Sequence, residues 1–494
     1  MNLKIITDRK WYLLSLACFW ALFFIVKREI FLSTGVMVFS FIALICSFLF
    51  VFLIQQSYEK NFVLLALLIG VFFICIAPFP CIIDEDFHFA RSFALSNGQL
   101  FGTMENGTVQ LSVPAGFTQQ AVSQRWTLTN VWENPDLWFA PVSRVEFLGR
   151  VRSASYLPVD YLFSAIGILL ARILNLPFLF YVILGRLFNY AAFVIVCYFA
   201  IRKAEHYKSL FFLVAVIPCA LYGASTVSID ASLISSSLLF VSVCMNYCLE
   251  KKDSVSTEDF LLLLFASVFL LSGKYMGYFL ILPLVFFMKK PLKRYKALLL
   301  SLLGVTLLIA FWQVCMLLKF RGSIDSGAAF DNVSLQGQFA WAMNNKGQFL
   351  QLICRDFIEN LPKRIYGCSY SEEPVFTFLS LPLRFLPFVA AARAKDKVSM
   401  EIRESRPLLA YWLLAAAVMM LICNISVYFA WNPVGNQEIL GIHERYSMPY
   451  MIFVLFAFSQ IQTVNRMKQH DICIVFLSGL AVLNMSMGTL LHCV

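Results

Sequence analysis

Leu157-Pro158-Val159-Asp160-Tyr161-Leu162-Phe163-Ser164-Ala165-Ile166-Gly167-Ile168-Leu169-Leu170-Ala171-Arg172-Ile173-Leu174 is apolar, yet it holds a proline, an aspartate and an arginine. Whether it crosses a bilayer decides the architecture, because one more span inverts the sidedness of everything after it. A spanning helix needs about 20 mostly apolar residues. Outside this segment the sequence reads as about 13 spans, at 11–27, 31–55, 62–79, 177–201, 210–224, 230–249, 260–273, 276–288, 297–317, 375–392, 408–428, 447–463 and 471–490. With 157–174 left out, one side collects the N-terminus, Lys60, Arg202/Lys203/Lys208, Lys251/Lys252, the block from Lys289 to Lys296, Arg393 to Arg406, and Arg466/Lys468. Short loops on the other side hold Lys27, Arg28, Lys274 and Arg445. Lys and Arg in short loops mark the cytoplasmic side. The N-terminus is therefore expected in the cytoplasm, and 157–174 as a helix lying in the outer interface. Lys27 and Arg28 run against this rule.

Composition agrees. Of 494 residues, 60% are hydrophobic and 14% charged, whereas a soluble domain is about 25% charged. A polytopic all-α membrane protein is expected. Lys4, Arg9 and Lys10 precede the apolar run from Trp11 to Val26, and no small-residue cleavage site follows, as in a signal-anchor. The net charge of +10 does not point to nucleic acid, because the basic residues fall in short blocks between apolar runs. The 14 cysteines form no CxxC pair and lie mostly in apolar runs, as at Cys18, Cys46, Cys197, Cys244 and Cys423. They signal neither a zinc site nor a disulfide framework. Cys354 and Cys368, in one polar loop, are the pair that a disulfide could join.

The chain divides into a transmembrane hairpin at 1–60, a main transmembrane module at 61–463 and a last helix at 464–494. Two long polar segments, 80–156 and 318–374, fall outside the membrane on the non-cytoplasmic side. Loops of that length are uncommon unless they serve function. In the first, Thr108 to Val113 alternates like a short strand. In the second, Phe349, Ile353 and Phe357 recur at helical spacing, which predicts an amphipathic helix over 348–361 against the membrane. No internal repeat of the kind found in many transporters is present.

Polar clusters gather on the outer side. Asp84-Glu85-Asp86-Phe87-His88-Phe89-Ala90-Arg91 would set Asp84, His88 and Arg91 on one helical face, with Glu85 three residues before His88. Acidic residues suit a helix N-terminus, so this could be an acidic first turn alone. It could equally present a carboxylate general base oriented by His and Arg. Gly441-Ile442-His443-Glu444-Arg445-Tyr446-Ser447-Met448-Pro449 offers Arg445 and Tyr446, either as interface anchors or as a grip on a phosphate or sugar hydroxyl. Tyr156/Pro158/Asp160, Ser228/Asp230 and Lys274/Tyr275 mark other outer ends. Each alone reads as a snorkelling anchor or cap. Together they set acid, base, Lys and Arg on one face, as an anionic lipid-linked substrate would need.

In this order the motifs resemble the bacterial membrane-protein family labelled domain of unknown function 2142, within the superfamily of GT-C fold glycosyltransferases. The family's Pro-Pro-Asp-Glu-x-x-His-Phe-x-Arg-Ala stretch is matched at Asp84-Glu85, His88 and Arg91, without the prolines directly before the aspartate. Its Tyr-x-Pro element resembles Tyr156-Leu157-Pro158, its Ser-x-Asp element Ser228-Ile229-Asp230, and its Lys-containing turn Gly273-Lys274-Tyr275. Its Gly-x-Gln-Gly-Arg-Tyr-x-x-Pro element is similar to 441–449, with His443 and Glu444 in place of Gln-Gly. The resemblance covers roughly 60–460 and implies a GT-C-like fold. It also implies transfer of a sugar from a polyprenyl phosphate to a cell-surface glycan or lipid-linked acceptor on the extracytoplasmic face. Asp84 or Glu85 would be the base. His88, Arg91, Tyr156, Asp230, Lys274, Arg445 and Tyr446 would bind substrate, with Lys274 and Arg445 on the lipid phosphate. No metal is required, although some relatives in the superfamily use a divalent cation, which 84–86 could hold. The competing readings are a polysaccharide polymerase or lipid-linked sugar flippase, which would want charges along a central channel, and a scaffold without chemistry.

Overall fold

The computed structural model describes residues 3–80, 84–105, 108–117, 126–127, 130–133, 135–142, 144–149, 152–250, 252–274, 276–289, 293–319, 332–366, 376–392, 406–460 and 470–491. Among them the helices are α1 (Leu3–Val26), α2 (Thr34–Leu53), α3 (Tyr58–Leu65), α4 (Phe72–Ile76), α5 (Glu85–Ser96), α6 (Asn130–Glu133), α7 (Pro135–Trp138), α8 (Leu162–Ile173), α9 (Phe178–Lys203), α10 (Lys208–Ala215), α11 (Pro218–Ala224), α12 (Asp230–Leu249), α13 (Thr257–Ser272), α14 (Tyr295–Lys319), α15 (Leu335–Asn344), α16 (Lys346–Tyr366), α17 (Thr377–Ala392), α18 (Arg406–Trp431), α19 (Met448–Ser459) and α20 (His470–Leu491). The strands are β1 (Thr103–Glu105), β2 (Thr108–Pro114) and β3 (Val145–Gly149).

Among the described residues, eight helices are long and apolar enough to cross a membrane, counting α3 and α4 as one. The remaining expected spans are helical too, but shorter or broken. Pro218 separates α10 from α11, and Ile217 before it is extended, as a residue preceding proline prefers. The segment Tyr278–Phe287 is wound as a 3₁₀ helix around Pro283. α3 runs into α4 through a π turn at Ala66–Gly70, whose Ala66 carbonyl accepts a hydrogen bond from the Tyr190 hydroxyl at 2.9 Å. Gly70 permits this approach, since a Cβ there would lie 2.3 Å from that oxygen.

Burial is arranged as lipid rather than water requires. All of α12 is buried, and it is packed on by α9, α13 and α19. By contrast α14 exposes Leu300, Leu307, Leu308 and Phe311, each at least 60% accessible. Water would penalise such a face, whereas acyl chains match it. The chain is a multi-pass membrane protein.

The segment 157–174 is a 3₁₀ turn, Pro158–Tyr161, followed by α8. The 12 residues of α8 rise only about 18 Å at 1.5 Å each, well short of a hydrocarbon core. α8 instead lies closely along α9, where a Cβ on Gly167 would come within 2.2 Å of the Leu184 carbonyl oxygen.

The strand expected at 108–113 is β2, central in an antiparallel β1-β2-β3 sheet with Thr103 opposite Gln110 and Leu111 opposite Leu148. Val109, Leu111 and Val113 are buried in a second apolar core with Phe79, Phe89, Phe93, Phe117, Trp126, Trp138 and Phe178. The described part of the long segment 80–156 is thereby folded onto the bundle, and it clamps α5 in place. Cys354 is a free, exposed thiol. Cys368 lies outside the described residues.

Candidate functional site

The support of the site is a buried ion pair. Glu85, the first residue of α5, points inward to Arg186 on α9, with Nη2 2.6 Å from Oε2 and Nε 2.8 Å from Oε1. Glu85 also accepts the Val227 backbone N–H at 2.9 Å. The remaining guanidinium hydrogens of Arg186 go to the carbonyls of Ile74 (3.0 Å), Ala77 (2.8 Å) and Pro78 (2.8 Å). Four separate pieces of chain meet here: the end of α4, the start of α5, α9 and the turn before α12. Charges this buried are tolerated when every lone pair and proton has a partner.

Because Glu85 turns inward, Asp84 turns out. Asp84 adopts the left-handed conformation, φ 58°, which Asn and Asp tolerate better than other side chains. Its side chain forms no helix cap; its carboxylate lies 3.8 Å from Arg445 Nη2 and is 35% exposed. Arg445 Nη1 in turn lies 3.5 Å from Asp230 Oδ2, and Lys274 Nζ donates to Asp230 Oδ1 at 2.8 Å. The ring of Tyr446 lies under both cations, 4.8 Å from Lys274 Nζ and 5.1 Å from Arg445 Cζ. The Tyr446 backbone is held by the Tyr278 hydroxyl at 3.0 Å. Asp230 starts α12, where a negative charge suits the helix N-terminus. Burial, then the neighbouring Arg445 charge, pulls the Lys274 ammonium down to about 8, while Asp230 opposes the fall.

A neutral layer lies beside this chain of charges. His88 Nδ1 is hydrogen-bonded to the Tyr161 hydroxyl at 2.7 Å, and its ring stacks on Tyr156 at 6.4 Å. Burial, aided by the Lys274 and Arg445 charges, pulls His88 down to about 3, so its imidazole is uncharged. Arg91 is not at the chain of charges. It donates to the carbonyls of Leu100 (2.8 Å), Tyr156 (3.3 Å) and Gln99 (3.4 Å), holding the segment after α5 against the turn at Tyr156. Asp160 accepts from Ser232 Oγ at 2.9 Å, and burial raises its carboxyl to about 7.

Of the nine residues expected at a site, Asp84, Asp230, Lys274, Arg445 and Tyr446 are in direct contact, and His88 and Tyr156 are stacked beside them. Glu85 and Arg91 are spent on support. Sequence reasoning missed Tyr161 and Tyr278, whose roles depend on partners 73 and 168 residues away. Arg186 did carry a signal, as a charge inside an apolar run.

The residues do not fit a divalent cation at 84–86. Glu85 is turned away into Arg186, and the cations Arg445 and Lys274 face the carboxylates of Asp84 and Asp230. Among the described residues the cluster with ligand-like spacing is Glu205, His206 and Glu250, at the opposite end of α9 and α12. There Lys252 Nζ already lies 2.6 Å from Glu205.

Compared with known proteins, the chain matches the family described as predicted membrane protein (DUF2142) over residues 67–454, and it belongs to that family. No curated protein and no solved structure matches it.

Proposed function

We propose that the protein is a membrane glycosyltransferase of GT-C type, moving a sugar from a polyprenyl-phosphate donor to a glycan or lipid-linked acceptor on the extracytoplasmic face. One observation carries this reading: a half-exposed carboxylate, Asp84, stands at the end of a buried chain Arg445–Asp230–Lys274. Asp84 takes the proton of the acceptor hydroxyl as that oxygen attacks the anomeric carbon. The bond from that carbon to the phosphate oxygen breaks, and the charge left on the polyprenyl phosphate is met by Arg445 and Lys274. Asp230 keeps the two cations in place and charged before substrate arrives. Of the two acidic candidates Asp84 is the base, because the Glu85 carboxylate is occupied by Arg186 and the Val227 N–H.

The placement of buried charge favours this over a flippase. Among the described residues, the buried Asp, Glu, Lys and Arg side chains are Glu85, Arg91, Asp160, Arg186, Asp230, Lys274, Asp356 and Arg445. They gather toward one end of the bundle, whereas a path between leaflets would call for polar groups along its length.

Asp84→Asn is the discriminating variant, since Asn keeps the left-handed backbone and removes the base. Expressed in a host lacking the chromosomal copy, it is expected to leave the surface glycan short of one sugar type while membrane level and thermal unfolding match wild type. A variant that restores the full glycan would end this assignment.

A further inference from the structure

The second long polar segment yields α15 and α16, and its apolar residues are not where the sequence places them. The stripe expected to meet the membrane meets protein instead. Ile353 is buried, Phe349 packs on the rings of Tyr428 and Phe429 (5.8 Å each), and Phe357 joins the main core. On the same inward face, Asp356 accepts hydrogen bonds from Asn424 on α18 and from Asn360, both at 2.8 Å. A second stripe is left on the outside of α16: Leu350 (64% accessible), Cys354 and Ile358 (69%), at successive i, i+4 positions. α15 repeats the arrangement. Gln338 and Ala342 are buried, Trp341 contacts Tyr428, and Phe339 and Met343 stand exposed four residues apart.

We infer that α15 and α16 lie in the interface of the leaflet nearest the site, with Phe339, Met343, Leu350, Cys354 and Ile358 among the acyl chains. Single exposed apolar residues are ordinary, but lines of them along consecutive helices mark an interaction face. The occupant is lipid because the face adjoins the end of a helix fit to cross the membrane: the Phe339 ring lies 6.4 Å from half-buried Phe429, in the last turn of α18. Depth agrees. Asn424, which bonds α16, is seven residues before Trp431 at the end of α18, about 10 Å along the helix at 1.5 Å per residue. Interfacial helices sit about 5–10 Å into the headgroup boundary. The flank of the stripe is polar, with Gln351, Arg355 and Glu359 exposed and Arg355 bonded to the Gln437 carbonyl. α16 also packs against the turn Glu444–Ser447 that carries Arg445, so this face brings bilayer to the side of the site. The inference stands whether or not the site transfers sugars.

The test uses the native chain in vesicles of phosphatidylethanolamine and phosphatidylglycerol doped with a phospholipid bearing a diazirine on its acyl chain. After irradiation and trypsin digestion, the peptide Gly347–Arg355 is expected to carry label at a level comparable with peptides from α14. Background labelling of that peptide, with α14 labelled, would overturn the inference. A nitroxide on Cys354, in a variant lacking the other cysteines, then separates the alternatives. Lipid contact gives several-fold more collisions with oxygen than with a water-soluble nickel chelate. An excess with nickel (water) or protection from both (a protein partner) would each overturn it.

Discussion

Lys274 is the residue at which charge and function are most closely tied. Its ammonium is buried beside a second cation, so it holds its proton less firmly than a lysine in water, losing it at about 8. The group is cationic below that pH and neutral above it. The donor proposed above is anionic and would bind the cationic form, so kcat/KM in proteoliposomes is expected to fall about tenfold per pH unit above about 8, since that parameter reports the free enzyme. Lys274→Arg keeps a charge that does not titrate there, and the descending limb should disappear even if the maximum is lower. An unchanged limb in Lys274→Arg would remove Lys274 as its source. At this scale much was legible in the sequence. Asp84, Asp230, Lys274 and Arg445 stand out because carboxylates and cations at span ends are costly in lipid and need partners. What could not be read was which of two adjacent carboxylates faces Arg445. That choice is made by Arg186, about a hundred residues further on.

The Glu85–Arg186 pair acts between elements, joining α4, α5, α9 and the turn before α12. Removing one partner leaves the other charge buried and alone, which costs about 3–5 kcal/mol. Glu85→Gln and Arg186→Met are each expected to lower stability to unfolding in mixed micelles by that order. The double variant Glu85→Gln/Arg186→Met, with neither charge left, should recover only part of the loss, because the carbonyls of Ile74, Ala77 and Pro78 still lose their donor. If Glu85→Gln unfolds like wild type but has no activity, Glu85 belongs to the chemistry and not to the frame. Element type was readable from period at the strand β2 and at the helix across 348–361, and the helix supposed after Asp84 is α5. The partner of each face was not readable. α16 shows why, since apolar lines lie on two of its sides and spacing cannot say which one meets protein.

Over the whole molecule, sidedness is the variable on which the proposed chemistry depends. Helices fit for crossing and the short α8 are in place, but length and apolarity carry no direction. Lys and Arg in short loops give an expected direction, and on the reading proposed above the N-terminus and the loop at Lys293 are cytoplasmic and Asp84, Lys274 and Arg445 lie outside. A polyprenyl-phosphate sugar is a sensible donor only there, where soluble nucleotide sugars are absent. Single cysteines at exposed Glu438 and Lys293, introduced in a background without reactive thiols, decide the matter. In intact cells a membrane-impermeant maleimide should modify Glu438→Cys at once and Lys293→Cys only after permeabilisation. The reverse pattern would put the site in the cytosol, where Arg445 and Lys274 could meet a nucleotide diphosphate as readily as a lipid phosphate. The carboxylate and its cations would stand, and the donor would have to change.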